Sequence, residues 1–182
     1  TDTMTARGIV HVGGGDQDTH APLVPSGHSP QILRIWGEKE GGMRILAVDH
    51  GEKRIGLALS DPTATIASPL KVIVHTARVM DAAQVAALAA EHEAGLIIVG
   101  QSFDEEGLPN AAGRSAARFA EALKLQTEIP VQMWDESLST QDARASRIAL
   151  GVSRKKRAGH HDALAAVVIL QSYLEAIQNS KF

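Results

Sequence analysis

The pattern of hydrophobic and polar positions changes character at residue 43. Residues 1 to about 42 hold scattered Gly, Pro, His and Asp with only brief apolar pieces, Gly8-Ile-Val-His-Val12 and Ile32-Leu-Arg-Ile-Trp36. Without a sustained period no face can be buried, so residues 1–42 are expected to be a disordered or non-native extension, with Met43 a natural start for a domain over 43–182. Beyond that point the apolar runs Ile45-Leu-Ala-Val48 and Ile55-Gly-Leu-Ala-Leu59 bracket a Gly51 turn, which predicts a hairpin with strands near 44–49 and 54–60. A third strand near 70–74, after turns at Pro62 and Pro69, completes a meander. Thr76 is placed to cap a helix of about 77–92 with Val79, Ala83, Ala86, Ala87 and Ala90 on one face, ended by Gly95. The run Leu96-Ile-Ile-Val99 does not alternate, as expected of a strand buried on both faces. After the loop Gly100 to Asn110 come a helix of about 111–126 and a strand, Val131-Gln-Met-Trp134, leading into Asp135-Glu136. Ser139 or Thr140 caps a helix to about Leu150. A final helix of about 161–177 carries Leu164, Val167, Val168, Leu170, Gln171, Leu174 and Ile177 along a broad apolar stripe. The order βββαβαβαα predicts an α/β fold, a mixed five-stranded sheet with helices on both faces.

Composition narrows the chemistry. The 182 residues suffice for one domain with a sizeable core, and the absence of cysteine excludes disulfides and thiolate metal sites. Any metal must then be held by carboxylate, imidazole or water, and oxygen ligands point to Mg²⁺ or Mn²⁺. The net charge of −3 gives no global pull toward nucleic acid, but it hides a basic cluster at Arg144, Arg147, Arg154, Lys155, Lys156 and Arg157. Such a patch can contact phosphates without reading sequence, although charge runs are more often solvated faces. No apolar run is long enough to span a bilayer and the N-terminus lacks signal-peptide regions, so a soluble cytoplasmic protein is expected.

Acidic residues fall at three element ends that this topology could bring together: Asp49 after the first strand, Asp135-Glu136 after the last, and Asp162 at the start of the final helix. Closely packed carboxylates repel one another unless a cation neutralises them. Two divalent ions about 4 Å apart would do so, one activating water and the other stabilising the leaving oxygen of a phosphodiester. Each acid also has a plainer reading: Asp49 and Asp135 as turn caps, Glu136 as a solvated side chain, Asp162 as an acid favoured at a helix N-terminus. The loop Gly100 to Asn110 lies just past a central strand, where α/β proteins often bind ligands, yet its composition equally suits an acidic surface loop. His160 and His161 are expected to be peripheral, because hard cations rarely take imidazole.

Four ordered motifs resemble the YqgF/RuvX family, described as Holliday junction resolvases and as nucleases maturing the 5′ end of 16S ribosomal RNA. They are Val48-Asp-His-Gly-Glu-Lys-Arg-Ile-Gly-Leu-Ala58, Ile98-Val-Gly100 with its Gly107 loop, Asp135-Glu-Ser-Leu-Ser-Thr140, and Asp162-Ala-Leu-Ala-Ala-Val-Val-Ile-Leu-Gln171, within about residues 43–177. The resemblance implies an RNase H-like fold and a divalent-metal phosphodiesterase site in which Asp49, Glu136 and Asp162 are the metal-binding, catalytic acids. It implies also that Lys53 and Arg54 line the substrate side. Two departures stand out: Gln101-Ser102 where the family has Leu-Pro, and Ser137 where it has Arg. The second removes a bidentate phosphate contact, for which Arg114 or the basic loop Arg154 to Arg157 are the candidate replacements.

The leading expectation is a Mg²⁺- or Mn²⁺-dependent endonuclease acting on structured nucleic acid. Precursor 16S RNA is favoured over branched DNA, because junction resolution by a lone small domain depends on dimerisation. Ribosomal particles are possible partners, and the protein is expected as monomer or homodimer. A non-catalytic RNA- or ribosome-binding factor is the alternative from another class, supported by Ser137. A nucleotide-binding module is a third, although actin-like folds need a second related domain for which the chain has no room.

Overall fold

The structure is a computed structural model that describes residues 42–135 and 161–179, with the side chains of 161 and 162 outside the description. Strands β1 (Arg44–His50), β2 (Arg54–Ser60) and β3 (Ala67–Val74) form the meander, followed by helix α1 (Arg78–Glu91), β4 (Ala94–Gln101), α2 (Ala111–Lys124), β5 (Val131–Asp135) and α3 (His161–Asn179). The helix expected from Ser139 or Thr140 to Leu150 lies outside the described residues, as do residues 1–41. No helix among the described residues is long and apolar enough to cross a membrane.

The sheet order is β3-β2-β1-β4-β5. β2 pairs antiparallel with both β1 and β3, whereas β4 lies parallel to β1 and β5 parallel to β4. The parallel half follows from the α1 and α2 crossovers, since a helix between strands lets the chain return in the same direction. Ile45, Leu46, Ala47 and Val48 of β1 are all fully buried, as the unalternating apolar run predicts for a central strand covered on both sides. Alternation still divides their side chains. Leu46, Val48, Ile55, Leu57, Ile97 and Val99 face α1 and α2 with Val85, Phe119 and Leu123. Ile45, Ala47, Ala58, Ile98 and Trp134 face α3 with Ile169, Leu170, Tyr173 and Leu174. On this second face the Trp134 indole N–H donates to Ser172 Oγ at 2.7 Å, and burial raises the Tyr173 phenol to about 12.

Several local expectations need correction. β3 starts at Ala67, and Pro69 lies inside it at the register shift opposite Ala58. Proline is tolerated there because β3 is the edge strand of the sheet, with no outer partner among the described residues. Helix α1 begins at Arg78 with Ala77 as its N-cap, which offers no side-chain bond. Thr76 serves the helix differently, its hydroxyl donating to Asp81 Oδ1 at 2.9 Å. The buried face of α1 is Asp81, Ala82, Val85, Ala86 and Ala89, while Val79 is exposed. An alanine-rich helix offers little contrast between faces, so its phase is not readable from hydropathy. Glu93, in the left-handed region at φ 55°, turns the chain out of α1 in place of the expected Gly95, which lies within β4. Gly95 lies so close to Met43 that a Cβ would stand 2.4 Å from that side chain.

Two further glycines permit close backbone approach. A Cβ on Gly51 would meet Arg54 O at 2.6 Å, in the turn where Gly51 N–H donates to that oxygen at 3.0 Å. A Cβ on Gly113 would meet Ser102 O at 2.1 Å, so the glycine lets α2 lie against the end of β4. The loop between them is locally closed rather than open: Asp104 Oδ1 accepts the N–H groups of Glu106 and Leu108, and Asn110 Oδ1 caps α2 through Gly113 N–H.

Candidate active site

Asp49 is the penultimate residue of β1, opposite Gly56 of β2. On the other side Val48 pairs with Val99, so the next row sets Asp49 beside Gly100, itself paired with Trp134 of β5. The row Gly56, Asp49, Gly100, Trp134 belongs to the α3 face. Asp49 is half-buried, and both neighbouring strand positions in its row are glycine, which leaves no Cβ on either side of a carboxylate that is itself a ligand suited to hard cations.

Helix α3 crosses the same face. Gln178 Nε2 donates to Ala64 O at 3.5 Å, and Ile177 clusters with Met43 and Ala64, which holds the C-terminal end of α3 at the edge where β1 begins. A helix of 19 residues is roughly 28 Å long, a little more than β1 itself. The first turn of α3, including the backbone of Asp162, is the end of this helix far from that contact. The Asp162 carboxylate, like His161, is not described beyond the backbone.

Asp135 shares its row with Gln101 and, one strand further, His50. Alternation thus places it on the α2 face, opposite to Asp49, which argues against the pair sharing one ion. Glu136, His160 and the basic residues Arg144, Arg147, Arg154, Lys155, Lys156 and Arg157 lie outside the described residues. Among the described residues no three His, Asp or Glu side chains are grouped to hold a metal ion. Lys53 and Arg54 flank the tip of the β1–β2 turn at the same sheet edge, Lys53 exposed and Arg54 half-buried. Arg114 lies in the first turn of α2, where its guanidinium Nη1 donates to Pro109 O at 2.7 Å and remains largely exposed.

The other face of the same edge holds groups that the sequence reading did not single out. His50, directly after Asp49, turns toward α2 and stacks at 4.7 Å on Phe119. Both of its ring nitrogens are buried without a hydrogen-bond partner, a state that ordinarily costs about 1–3 kcal/mol per group. Burial first, and the neighbouring His75 second, push the His50 imidazole below the usual histidine range. His75 Nδ1 in turn meets Asp81 Oδ2 at 2.5 Å. Burial opposes ionisation of Asp81, but hydrogen bonds from Thr76 and His75 outweigh it and hold the carboxyl below the usual range. A cleft of about 430 Å³ separates the β1–β2 turn from α2, walled by His50, Glu52, Ser115 and Arg118 among others. The sequence signal was the i, i+4, i+7 spacing of Ala111, Ser115 and Arg118, too common to notice without the turn opposite it.

A mixed sheet in this order, parallel on one side of the central strand and antiparallel on the other, is that of an RNase H-like fold. Among solved structures the chain is similar to Thermus thermophilus RuvC in complex with a Holliday junction substrate, at TM-score 0.51 and 16% identity over 75% of this chain and 96% of that one. A second Thermus thermophilus RuvC structure gives TM-score 0.50. The model of the RuvX family, described as Holliday junction resolvase, matches residues 43–176. A relative from Anaeromyxobacter sp. (strain Fw109-5), named "Putative pre-16S rRNA nuclease", is 42% identical over 133 residues, 73% of this chain and 97% of its own length. One of the same name from Thermoanaerobacter pseudethanolicus is 40% identical over 138 residues, covering 75% and 99%. The chain belongs to the RuvX family of nucleases, and is thereby a hydrolase.

Proposed function

We propose that residues 43–182 form a divalent-metal-dependent endonuclease that hydrolyses phosphodiester bonds in structured nucleic acid, and that its substrate is precursor 16S ribosomal RNA, processed at the 5′ end in the cytoplasm. The observation that carries this reading is the half-buried Asp49 at the end of the central strand, set between two glycine positions on the face that α3 crosses. The names of the 42% and 40% identical relatives support the RNA substrate.

In this reading Asp49, Glu136 and Asp162 hold Mg²⁺ or Mn²⁺, an all-carboxylate set suited to hard cations. Glu136 is preferred to Asp135 because Asp135 belongs to the row of His50 on the far face. A divalent ion there supplies Lewis acidity to in-line hydrolysis of a phosphodiester. Lys53, Arg54 and Arg114 contact substrate phosphates at the sheet edge, with Arg154, Lys155, Lys156 and Arg157 adding charge in place of the arginine that Ser137 replaces. These contacts position without reading sequence, so specificity comes from the shape of the folded RNA. The family description supports a second reading, cleavage of branched DNA, which would require a homodimer to cut both strands.

The test is incubation of wild type and Asp49→Asn with precursor 16S RNA and with a four-way DNA junction, in Mg²⁺ and in Mn²⁺. Cleavage of the RNA alone is expected, falling about 100-fold or more in the variant, with its melting temperature within a few degrees of wild type. Cleavage that survives Asp49→Asn would remove this carboxylate from the mechanism. Junction cleavage without RNA cleavage would select the second reading, and binding without cleavage in either metal would make the chain a non-catalytic factor.

A further inference from the structure

The junction between β3 and α1, Val74 to Met80, is exposed or half-buried at every residue, yet it carries three large apolar side chains. Val74 is 66%, Val79 60% and Met80 67% exposed. Single apolar residues at a surface are ordinary, but three within one short segment form a patch. Val74 pairs with Arg54, two residues before Gly56 in β2, so this end of the segment lies on the Asp49 face of the sheet. The exposed charge in the segment is positive. Arg78 forms no ion pair among the described residues, and a cation at the first position of α1 opposes the helix dipole, so it does nothing for its own helix. Asp81, the acid nearest in sequence, is 1% exposed and engaged by Thr76 and His75.

An independent observation is the setting of His75. Its backbone N–H donates to Lys53 O at 2.9 Å, which ties it to the β1–β2 turn, and its Nδ1 meets Asp81 Oδ2 at 2.5 Å. Burial opposes ionisation of Asp81, but the bonds from Thr76 and His75 keep its carboxyl below the usual range. An ionised carboxylate only accepts, so Nδ1 carries the hydrogen and the neutral imidazole presents Nε2 as an acceptor. That nitrogen is neither buried nor hydrogen-bonded among the described residues, on a side chain 32% exposed. An oriented acceptor at the surface, on a segment that carries Arg78 and three apolar side chains, fits single-stranded RNA. Phosphates meet the cation, unstacked bases and sugars lie on the apolar groups, and a ribose 2′-hydroxyl donates to the acceptor. DNA lacks that donor, and a duplex keeps its bases stacked away from apolar side chains.

We infer that the β3–α1 junction binds a single-stranded stretch of the RNA substrate, with Arg78 on a phosphate, Val79 and Met80 against bases, and His75 Nε2 accepting a ribose 2′-hydroxyl. The inference deepens the RNA reading above and rests on it. Arg78 and His75 continue the substrate track of Lys53 and Arg54 along the sheet edge, and Asp81 is the positioning residue that fixes the imidazole.

The test uses the full chain and two RNA hairpins of one sequence, one with a single-stranded 5′ RNA extension and one whose extension is 2′-deoxy throughout. Binding is read by fluorescence anisotropy in EDTA, so that no cleavage intervenes. Wild type is expected to bind the RNA extension about threefold to fivefold more tightly than the deoxy one, the worth of one hydrogen bond. His75→Ala is expected to abolish that difference, whereas a structural loss alone would weaken both probes alike and keep it. Arg78→Ala is expected to keep the difference, weaken both probes about fivefold and lower the slope of log affinity against log salt by about one. Met80→Ala is expected to weaken both about twofold with the slope unchanged. Equal binding of the two probes by wild type, a preference for RNA that survives His75→Ala, or wild-type affinity and salt slope in Arg78→Ala would each overturn the inference and leave the nuclease reading standing. Wild type that binds neither hairpin nor a DNA junction would overturn both readings.

Discussion

At the scale of single residues, the edge of the sheet sets two kinds of polar burial side by side. Asp81 is 1% exposed, yet it is bonded by the Thr76 hydroxyl, by two weak contacts from the Thr76 N–H and by His75. Its carboxyl is held below the usual range, so its stabilising contribution is complete above the unfolded-state value near 4 and is lost as pH falls through the lower folded-state value. Asp81→Asn is therefore expected to reduce stability by about 1–3 kcal/mol at pH 7, and to lessen the loss of stability between roughly pH 5 and pH 2 relative to wild type. Urea unfolding across that range measures both. Equal acid sensitivity in the two proteins would show that the pair with His75 contributes nothing. His50 is the contrasting case, buried with its nitrogens unmatched. Neither side chain is distinctive in the sequence: Asp81 looks like a surface acid of a helix and His50 like part of a turn, and only the strand–helix junction tells them apart.

At the scale of elements, the two crossover helices start in different ways. Asn110 bonds Gly113 N–H and the Ser102 hydroxyl at 2.9 Å each, tying the start of α2 to the end of β4. Asn110→Ala is expected to cost about 1 kcal/mol through the lost cap, with some further loss from Ser102. By contrast, Ala77→Ser gives α1 a side-chain cap that it lacks and is expected to raise stability by about 0.5–1 kcal/mol, read as a shift in thermal midpoint of several degrees. No change in either variant would show that these termini are held by tertiary packing alone. The strands were legible from their apolar runs to within three residues at each end, because a central strand needs burial on both faces and the chain writes that directly. The face of α1 was not, because Ala buried and Ala exposed read alike.

At the scale of the whole molecule, one sheet is shared by two cores. Leu123 belongs to the α1–α2 side and Trp134 to the α3 side, both fully or nearly fully buried. Because each strand of the centre contributes side chains to both, the two cores should melt together. Leu123→Ala is expected to destabilise by about 2–5 kcal/mol and to move the Trp134 fluorescence transition, measured with Trp36→Phe, by the same amount as the circular dichroism transition. Separate transitions would mean that the two faces unfold independently. The chain by itself determined the order of the described elements, the mixed sheet and the acid near the end of the first strand, since hydrophobic period and turn chemistry are local. The family motifs added a metal-dependent nuclease as the expected activity. Tertiary structure alone decided which side of the sheet each end residue serves: Asp49 with α3, Asp135 and His50 with α2. That assignment depends on pleat and register across strands far apart in sequence, where a shift of one residue exchanges the faces.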